Sequence, residues 1–300
     1  MSRYLVTGGA GRLGRSVVAV LAEAGHDVIS VDVATVDGLP AEQVVVDLSD
    51  AGATRRVVEQ HAPDGIVHLA AIPYPGLLPD DETFATNTRL AFAVLDAAVA
   101  TGVGAVLLAS SPTVMGYGAP AGWTPTYLPL DEEHPVAPWN GYAASKAAVE
   151  LLGAMFARRH PDGPRIGSFR PCYVIAPEEW AGAPTQQGHT ILERLDDPAL
   201  AAVALFNYVD ARDAGEFVRV WFERAADVPN GSVFFVGATD SLVRGPVGPA
   251  LAELVPGTAD AARALEPEAA VFSSARAERL LGWRARRTWR TELAEVVEDA

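Results

Sequence analysis

Two side chains near the middle of the sequence are spaced for proton transfer. Tyr142 and Lys146 lie four residues apart in a segment, Tyr142 to Arg159, that has the spacing of a helix, so both side chains project from one face. A phenol has an ordinary pKa of about 10 and is a poor base at neutral pH. Because an ammonium one turn away favours the phenolate, we expect Lys146 to lower the pKa of Tyr142 into the range of acid and base catalysis. Alone, this spacing is common and usually structural.

A glycine-rich turn near the N-terminus is the stronger signal. The run Thr7-Gly8-Gly9-Ala10-Gly11-Arg12-Leu13-Gly14 follows a predicted strand and opens a predicted helix. Gly8 permits a tight turn, Gly11 lets the backbone approach a pyrophosphate, and Gly14 allows the helix to pack closely on the strand. The free N–H groups at the start of the helix attract negative charge. The turn therefore predicts a dinucleotide site, and the alternative is an ordinary surface turn.

Asp32 ends the second predicted strand, about 20 residues beyond the turn, where its carboxylate can accept hydrogen bonds from the ribose hydroxyls of NAD. The 2′-phosphate of NADP would meet this negative charge, and the following Val33-Ala34-Thr35 supplies no arginine to neutralise it. We therefore expect NAD in preference to NADP. The alternative role for Asp32 is to cap the turn.

The elements that must position these groups alternate along the first ~170 residues. The predicted strands are Tyr4 to Thr7, Asp27 to Val31, Val44 to Asp47, Gly65 to Leu69, Ala105 to Ser110 and Arg165 to Phe169. The predicted helices between them are Leu13 to Ala24, Thr54 to His61, Thr83 to Ala100 and Tyr142 to Arg159. This alternation predicts an α/β fold of the Rossmann type, a doubly wound parallel sheet with helices on both faces.

After residue 170 the sequence changes to shorter elements separated by Pro- and Gly-rich stretches. We expect an NAD-binding domain of residues 1–170 and a smaller substrate-binding lobe of residues 171–300, with one strand near Ser232 to Val236 returning to the sheet. Ligands of such sheets bind beyond the carboxyl ends of the strands. The two parts should therefore share one cleft.

The composition narrows the class of protein further. The 300 residues are 49% hydrophobic and 20% charged, which is typical of a globular protein, and the net charge of −15 argues against a nucleic-acid partner. No apolar run approaches the roughly 20 residues of a membrane span, and the N-terminus lacks a signal-peptide pattern, so we expect a cytoplasmic protein without a membrane partner. The single cysteine and the spacing of His134, His160 and His189 favour no metal site.

Several further motifs, taken with the glycine-rich turn and the Tyr142–Lys146 pair, give the sequence a resemblance to a known superfamily. The sequence resembles the extended short-chain dehydrogenase/reductase superfamily, in particular its NAD-dependent epimerase/dehydratase family. In chain order they are Asp47-Leu48, His68-Leu69-Ala70-Ala71, Asn87, Ser110 to Gly116, Tyr142 with Lys146, Arg170-Pro171, Tyr208 to Ala214 and Leu280 to Trp283. The resemblance spans nearly the whole chain. It implies an NAD-dependent oxidoreductase or epimerase that moves a hydride at a hydroxyl-bearing carbon of a sugar-like substrate. It also implies a homodimer formed by the helices that begin near Thr83 and Tyr142.

The resemblance also implies a role for each matching residue. Tyr142 would be the acid and base, Lys146 would lower its pKa and bind the nicotinamide ribose, and Ser111 would hydrogen-bond the same substrate oxygen. Ser110 and Thr113 would either cap a turn or assist catalysis. The implied cofactor contacts are Gly8, Gly11, Arg12, Leu13, Gly14, Asp32, Asp47, Leu48, Leu69, Ala70, Ala71, Asn87, Tyr142, Lys146 and Pro171, with Asp47 and Leu48 beside the adenine.

The sequence departs from the family at two places. Pro112-Thr113 replaces the Asp-Glu pair of sugar dehydratases, so we expect no elimination of water. Phe206 stands where many nucleotide-sugar epimerases place an arginine on the substrate diphosphate. Three arginines, Arg194, Arg212 and Arg244, could either substitute for it or be surface charges.

These departures leave alternatives open. The chain is either a nucleotide-sugar epimerase that retains NAD or a dehydrogenase of a free sugar or uronate that releases NADH. An alternative of another class is a non-catalytic NAD sensor, against which the retained Tyr142, Lys146 and Ser111 argue. The aromatic loop Gly116 to Trp139 either stacks on a sugar or is held in place by its tryptophans.

Overall fold

A computed structural model, which describes residues 1–298 and the side chains of residues 1–293, contains a seven-stranded sheet. Its strands are β1 (Arg3–Thr7), β2 (Asp27–Asp32), β3 (Glu42–Val45), β4 (Gly65–His68), β5 (Ala105–Ala109), β6 (Arg165–Pro171) and β9 (Ser232–Val236). Their order is β3-β2-β1-β4-β5-β6-β9, and each neighbouring pair is parallel. The strands β7 (Val174–Ile175) and β8 (Val209–Asp210) form a separate parallel pair.

Helices cover both faces of the sheet. The longer ones are α1 (Arg12–Glu23), α2 (Ala51–His61), α3 (Asp80–Thr101), α4 (Gly141–Arg159) and α8 (Ala211–Arg224). The shorter ones are α5 (Pro177–Trp180), α6 (Ile191–Asp196), α7 (Ala199–Ala202), α9 (Val247–Leu254), α10 (Ala259–Ala262), α11 (Ala275–Leu281) and α12 (Trp289–Glu298). No helix of residues 1–298 is both long enough and apolar enough to cross a bilayer.

Alternating side chains of each strand supply two hydrophobic cores. In β1, Val6 packs with residues of α1 and α8, whereas the neighbouring Leu5 packs with residues of α2, α3 and α4. Successive side chains of a strand point to opposite faces, which is why a sheet covered on both sides needs apolar residues at consecutive positions. The doubly wound α/β fold predicted from the sequence is therefore confirmed.

The strand expected to return to the sheet near Ser232 is present as β9, and it pairs with β6. The strand expected at Val44 to Asp47 lies two residues earlier, because Ile29–Asp32 pairs in register with Glu42–Val45. This edge strand is only partly buried, so its apolar run does not mark its bounds. The division of the chain after residue 170 stays a prediction.

Candidate active site

The glycine-rich turn brings three backbone segments into direct contact. Gly8 has φ +71°, and a Cβ there would lie 2.8 Å from the backbone nitrogen of Ala70. A Cβ on Gly14 would lie 2.1 Å from the Gly8 oxygen, so Gly14 allows α1 to approach the turn itself. In the described chain, no side chain caps the N-terminus of α1 and no acidic residue lies in its first turn. This uncapped, glycine-lined end of a helix fits the pyrophosphate of a dinucleotide.

The carboxylate of Asp32 lies beside the turn, as the sequence predicts. It accepts hydrogen bonds from the backbone N–H groups of Ala10 at 3.0 Å and Val33 at 2.7 Å. It is only half-buried, and a carboxylate can accept more than two hydrogen bonds, so acceptor capacity is left for ribose hydroxyls. Asp47 is exposed, and hydrogen bonds from Ser49 hold its pKa below the ordinary value.

Several cofactor residues predicted from the resemblance line the ends of β3 and β4. Leu48 is buried in the core, whereas Leu69, Ala70 and Ala71 are half-buried. The hydroxyl of Thr7 accepts the N–H groups of Leu69 and Ala70, both at 3.2 Å, and contacts His68 Nδ1 at 2.8 Å. Burial, together with the charge of Lys146, lowers the pKa of His68 to about 3. The ring is therefore neutral at neutral pH, and its hydrogen bond with Thr7 joins β4 to β1.

Asn87 lies behind this wall. Its side-chain oxygen accepts the N–H of Ile72 at 2.7 Å, and its amide donates to the Ile72 oxygen at 3.2 Å and to Ser145 Oγ at 3.0 Å. Because the buried amide is fully engaged by protein atoms, the structure gives Asn87 a positioning role: it ties the segment after β4 to α4.

The guanidinium of Arg12 forms an ion pair with the buried Glu179 of α5, and Arg15 pairs with Glu178 in the same way. These pairs join the start of α1 to the chain beyond β6. The side chain of Arg12 is thereby engaged, which leaves the backbone N–H groups of Arg12 and Leu13 for the predicted cofactor contact.

Ser111, Tyr142 and Lys146 meet where β5 ends. Ser111 Oγ accepts the hydroxyl of Thr113 at 2.9 Å, and Ser111 lies near the phenol of Tyr142, whose pKa it lowers. The Lys146 ammonium donates to the oxygen of Ala109 at 2.9 Å and lies 5.7 Å from the centre of the Tyr142 ring. The three residues predicted to be catalytic are thus neighbours in the fold, and Pro171 ends the adjacent strand β6.

The electrostatics of this cluster differ from the expectation. Burial raises the pKa of Tyr142 to about 12, and the nearby Ser111 only partly opposes the shift. Burial also lowers the pKa of Lys146 to about 8. Burial thus shifts the pKa of Tyr142 in the direction opposite to the one expected from Lys146, whose ammonium is bound to the Ala109 oxygen. At neutral pH the phenol is a proton donor.

A buried ion pair that the sequence analysis missed supports the catalytic helix. Arg170 of β6 makes two hydrogen bonds to Glu150 of α4, at 2.7 and 2.8 Å. Ser110 also donates to Glu150, at 2.5 Å, which is neither the turn cap nor the catalytic contact considered for it. The spacing of four residues between Lys146 and Glu150, which puts them on one helix face, was the available signal.

A second group that the sequence analysis missed is a tyrosine. Tyr117 lies near Asn207 and Tyr142, and burial raises the pKa of its phenol. Asn207 Oδ1 in turn accepts the N–H of Tyr173 at 2.8 Å. Phe206 is fully buried with φ +57°, so its side chain belongs to the core and the position of the family arginine offers no cation.

The aromatic loop is held by its tryptophans. Trp123 Nε1 donates to the oxygen of Met115 at 2.8 Å, and Trp139 Nε1 donates to that of Tyr117 at 3.0 Å. Both indoles are thus committed to main-chain oxygens of the loop. Of the two alternatives for Gly116 to Trp139, this geometry favours a loop pinned by its own side chains.

Comparison with known proteins agrees with this geometry. Residues 4–237 match the model of the NAD dependent epimerase/dehydratase family. The chain belongs to this family. It is therefore an NAD-dependent enzyme, and the α/β fold and family predicted from its motifs are confirmed.

Two curated proteins are similar to the chain. The UDP-glucose 4-epimerase of Corynebacterium glutamicum is 26% identical, over 99% of this chain and 94% of that protein. The L-arabinose 1-dehydrogenase (NAD(P)(+)) of Haloferax volcanii is 34% identical, over 53% of this chain and 63% of that one. A solved structure of a UDP-galactose 4-epimerase superposes with a TM-score of 0.69 at 26% identity, covering 99% of this chain and 98% of that one.

Proposed function

We propose that this enzyme transfers a hydride between NAD and a hydroxyl-bearing carbon of a sugar. The observation that carries the proposal is the meeting of Ser111, Tyr142 and Lys146 at the end of β5 in a chain whose glycine-lined helix end fits a dinucleotide. The two curated relatives, an epimerase and a dehydrogenase, are both named for sugar substrates.

In this proposal NAD, when bound, supplies the hydride acceptor. The N–H groups at the start of α1 hold its pyrophosphate, and Asp32 binds the adenosine ribose. Tyr142 takes the proton of the substrate hydroxyl during oxidation and returns it during reduction, while Ser111 hydrogen-bonds the same oxygen and stabilises its developing charge. Lys146 provides the positive charge that makes the phenolate attainable once the substrate is in place.

Two reactions fit these roles. An epimerase returns the hydride to the sugar, which is the reaction class of the relative that matches the full chain. A sugar dehydrogenase releases NADH, and the absence of a cation at Phe206 favours this second candidate, because a nucleotide diphosphate lacks its family partner there.

A panel of sugars and nucleotide sugars separates the two reactions. We expect Tyr142-dependent turnover of at least one compound: steady NADH formation at 340 nm indicates a dehydrogenase, and a changed sugar without net NADH indicates an epimerase. If the native chain and Tyr142→Phe bind NAD equally well and neither turns over any sugar, the result would instead favour the non-catalytic sensor.

We also propose a cytoplasmic homodimer built on α3 and α4, which pack along each other. Phe84 and Phe92 of α3 and Leu151 of α4 are exposed, Leu151 to 68%. Exposed apolar side chains on two packed helices favour association. Sedimentation should give a dimer for the native chain and a monomer for Leu151→Glu; a native monomer would contradict the proposal.

A further inference from the structure

Two ion pairs tie the first turn of α1 to the short helix α5. Arg12 pairs with Glu179, and Arg15, three residues further along α1, pairs with Glu178. Residues three apart lie on the same side of a helix, so α5 lies beside the end of α1 that fits the pyrophosphate of NAD. The two pairs therefore join the cofactor turn to the segment that follows β7.

The two pairs differ in burial. The side chain of Glu179 is 2% exposed and that of Arg12 33%, whereas Arg15 and Glu178 are 36% and 51% exposed. Water and salt screen an exposed pair, so it contributes little. A buried carboxylate that loses its cation is strongly unfavourable. The Arg12–Glu179 pair is therefore the one that holds the two elements together.

Glu179 is the fixed partner of this pair. Its Oε2 accepts the N–H of Ala176 at 2.7 Å. The next residue, Trp180, is buried and donates from Nε1 to the buried carboxylate of Asp210 at 2.8 Å. Because α5 is bonded in this way, the pair opens most easily through the long side chain of Arg12, which is one-third exposed.

The side chain of Arg12 lies across one side of the pyrophosphate site. Arg12 is the first residue of α1, and the side chains of a helix lean toward its N-terminus. A surface groove of about 350 Å³ begins beyond the pairs, and Arg12, Arg15 and Glu178 line it. The Arg12–Glu179 pair thus stands between the glycine-lined end of α1 and this open groove.

We propose that the Arg12–Glu179 pair is a gate for the cofactor: Arg12 must leave Glu179 before NAD can bind or be released. Both members of the pair are protein groups, so a closed gate opposes binding and release alike. Weakening the pair should therefore raise both rates together and leave the dissociation constant nearly unchanged. The inference goes beyond the proposed function, since it concerns exchange of the cofactor and not the reaction of the sugar.

A direct contact between Arg12 and the pyrophosphate is the competing role, and two variants separate it from a gate. In the gate, Arg12→Gln and Glu179→Gln both break the pair, so both should speed the release of the cofactor. If Arg12 instead held the pyrophosphate, Glu179→Gln would free the guanidinium for that contact and slow the release.

Stopped-flow fluorescence of the full chain with NADH, without sugar, measures both rates. Mixing with NADH gives the association rate, and displacement of bound NADH by excess NAD gives the dissociation rate. We expect both rates to rise about tenfold or more in each variant. In Glu179→Gln the dissociation constant should stay within about threefold of the native value. Glu178→Gln is the matched control on the same helix, and its exposed pair should leave both rates within about twofold.

A double variant protects the test against a folding defect. Arg12→Gln alone leaves the buried carboxylate of Glu179 unpaired and should lower the thermal midpoint. Arg12→Gln with Glu179→Gln leaves no unpaired charge, so it should recover the midpoint and keep the fast exchange. Native exchange rates in the double variant or in both single variants would overturn the proposal. Slower release in Glu179→Gln, or a weaker affinity with an unchanged association rate, would also overturn it.

Discussion

The two walls of the cleft are made of different material. The cofactor wall, Gly8–Gly14 with Asp32 and Leu69–Ala71, consists largely of backbone at the carboxyl ends of parallel strands. The wall that we propose faces the substrate, Tyr173–Glu179 with Asn207, consists of side chains on short elements, where Asn207 and Tyr173 are joined across 34 residues. The position of a wall made of backbone is fixed by the order of the strands. A wall made of side chains forms only where residues distant in the sequence come together. The difference explains how a family can keep its cofactor while its substrate changes.

The largest effect should come from Tyr142, which lies between the two walls. Tyr142→Phe removes the proton donor and should lower turnover about 10²–10⁴-fold, with NAD affinity nearly unchanged. Steady-state kinetics and NAD titration measure the two quantities. Tyr127→Phe is the matched control, since Tyr127 is an exposed tyrosine bonded to Asp131, and it should keep wild-type turnover. Wild-type turnover in Tyr142→Phe would show that Tyr142 is not the acid and base of the reaction.

The pH dependence of the rate tests whether burial keeps Tyr142 protonated at neutral pH. Because burial raises the pKa of Tyr142 to about 12, the phenolate fraction increases about tenfold per pH unit below that value. The rate of sugar oxidation should therefore rise steeply with pH. It should flatten above about 8, where Lys146 loses its positive charge and stops favouring the phenolate. A rate independent of pH between 6 and 8 would show that the proton transfer does not limit the reaction.

Asp32 tests the adenosine end of the cofactor wall. Asp32→Asn keeps the size of the side chain but removes its charge, so NAD should bind about tenfold more weakly and the preference over NADP should narrow. Fluorescence titration with both reduced cofactors measures this. Asp197→Asn, at an exposed aspartate that likewise accepts a backbone N–H, should leave both affinities unchanged. If Asp32→Asn kept the full preference for NAD over NADP, other residues would have to select the cofactor.

Glycine substitutions in the cofactor wall should have the smallest effect on the site. They test whether NAD is bound there by backbone groups. A Cβ meets one carbonyl oxygen at 3.2 Å both in Gly11→Ala and in Gly104→Ala, which lies away from the cleft. The two variants should lose similar stability, but only Gly11→Ala should weaken NAD binding. Gly14→Ala should cost about 1–3 kcal/mol of stability, because its Cβ would overlap the Gly8 oxygen. Thermal unfolding separates the two kinds of loss, and equal NAD affinity in the Gly11 and Gly104 variants would contradict the assignment.

Prediction from the sequence succeeded where local pattern determines structure. The glycine turn, Asp32 at the end of β2 and the returning strand β9 were all placed correctly, because consecutive apolar positions and glycines act within a few residues. The bounds of β3 were wrong by two residues, since an edge strand is only half-buried and its apolar run is a weak guide.

The sequence failed where burial and distant contacts decide. Spacing on the helix predicted a lowered pKa for Tyr142, but spacing does not reveal how deeply a phenol is buried or that Lys146 binds the Ala109 oxygen. Arg194 was indistinguishable from Arg212 and Arg244 until the fold showed that it alone of the three is buried. The ion pair of Arg12 with Glu179 also became visible only in the fold. Such pairings are set by packing between distant elements.

A crystal structure of the chain with NAD bound is the most direct test of the proposed function. We expect the pyrophosphate at the N-terminus of α1, the adenosine ribose on Asp32, and the nicotinamide ribose within hydrogen-bonding distance of Tyr142 and Lys146. A nicotinamide bound away from the Tyr142 phenol would contradict it.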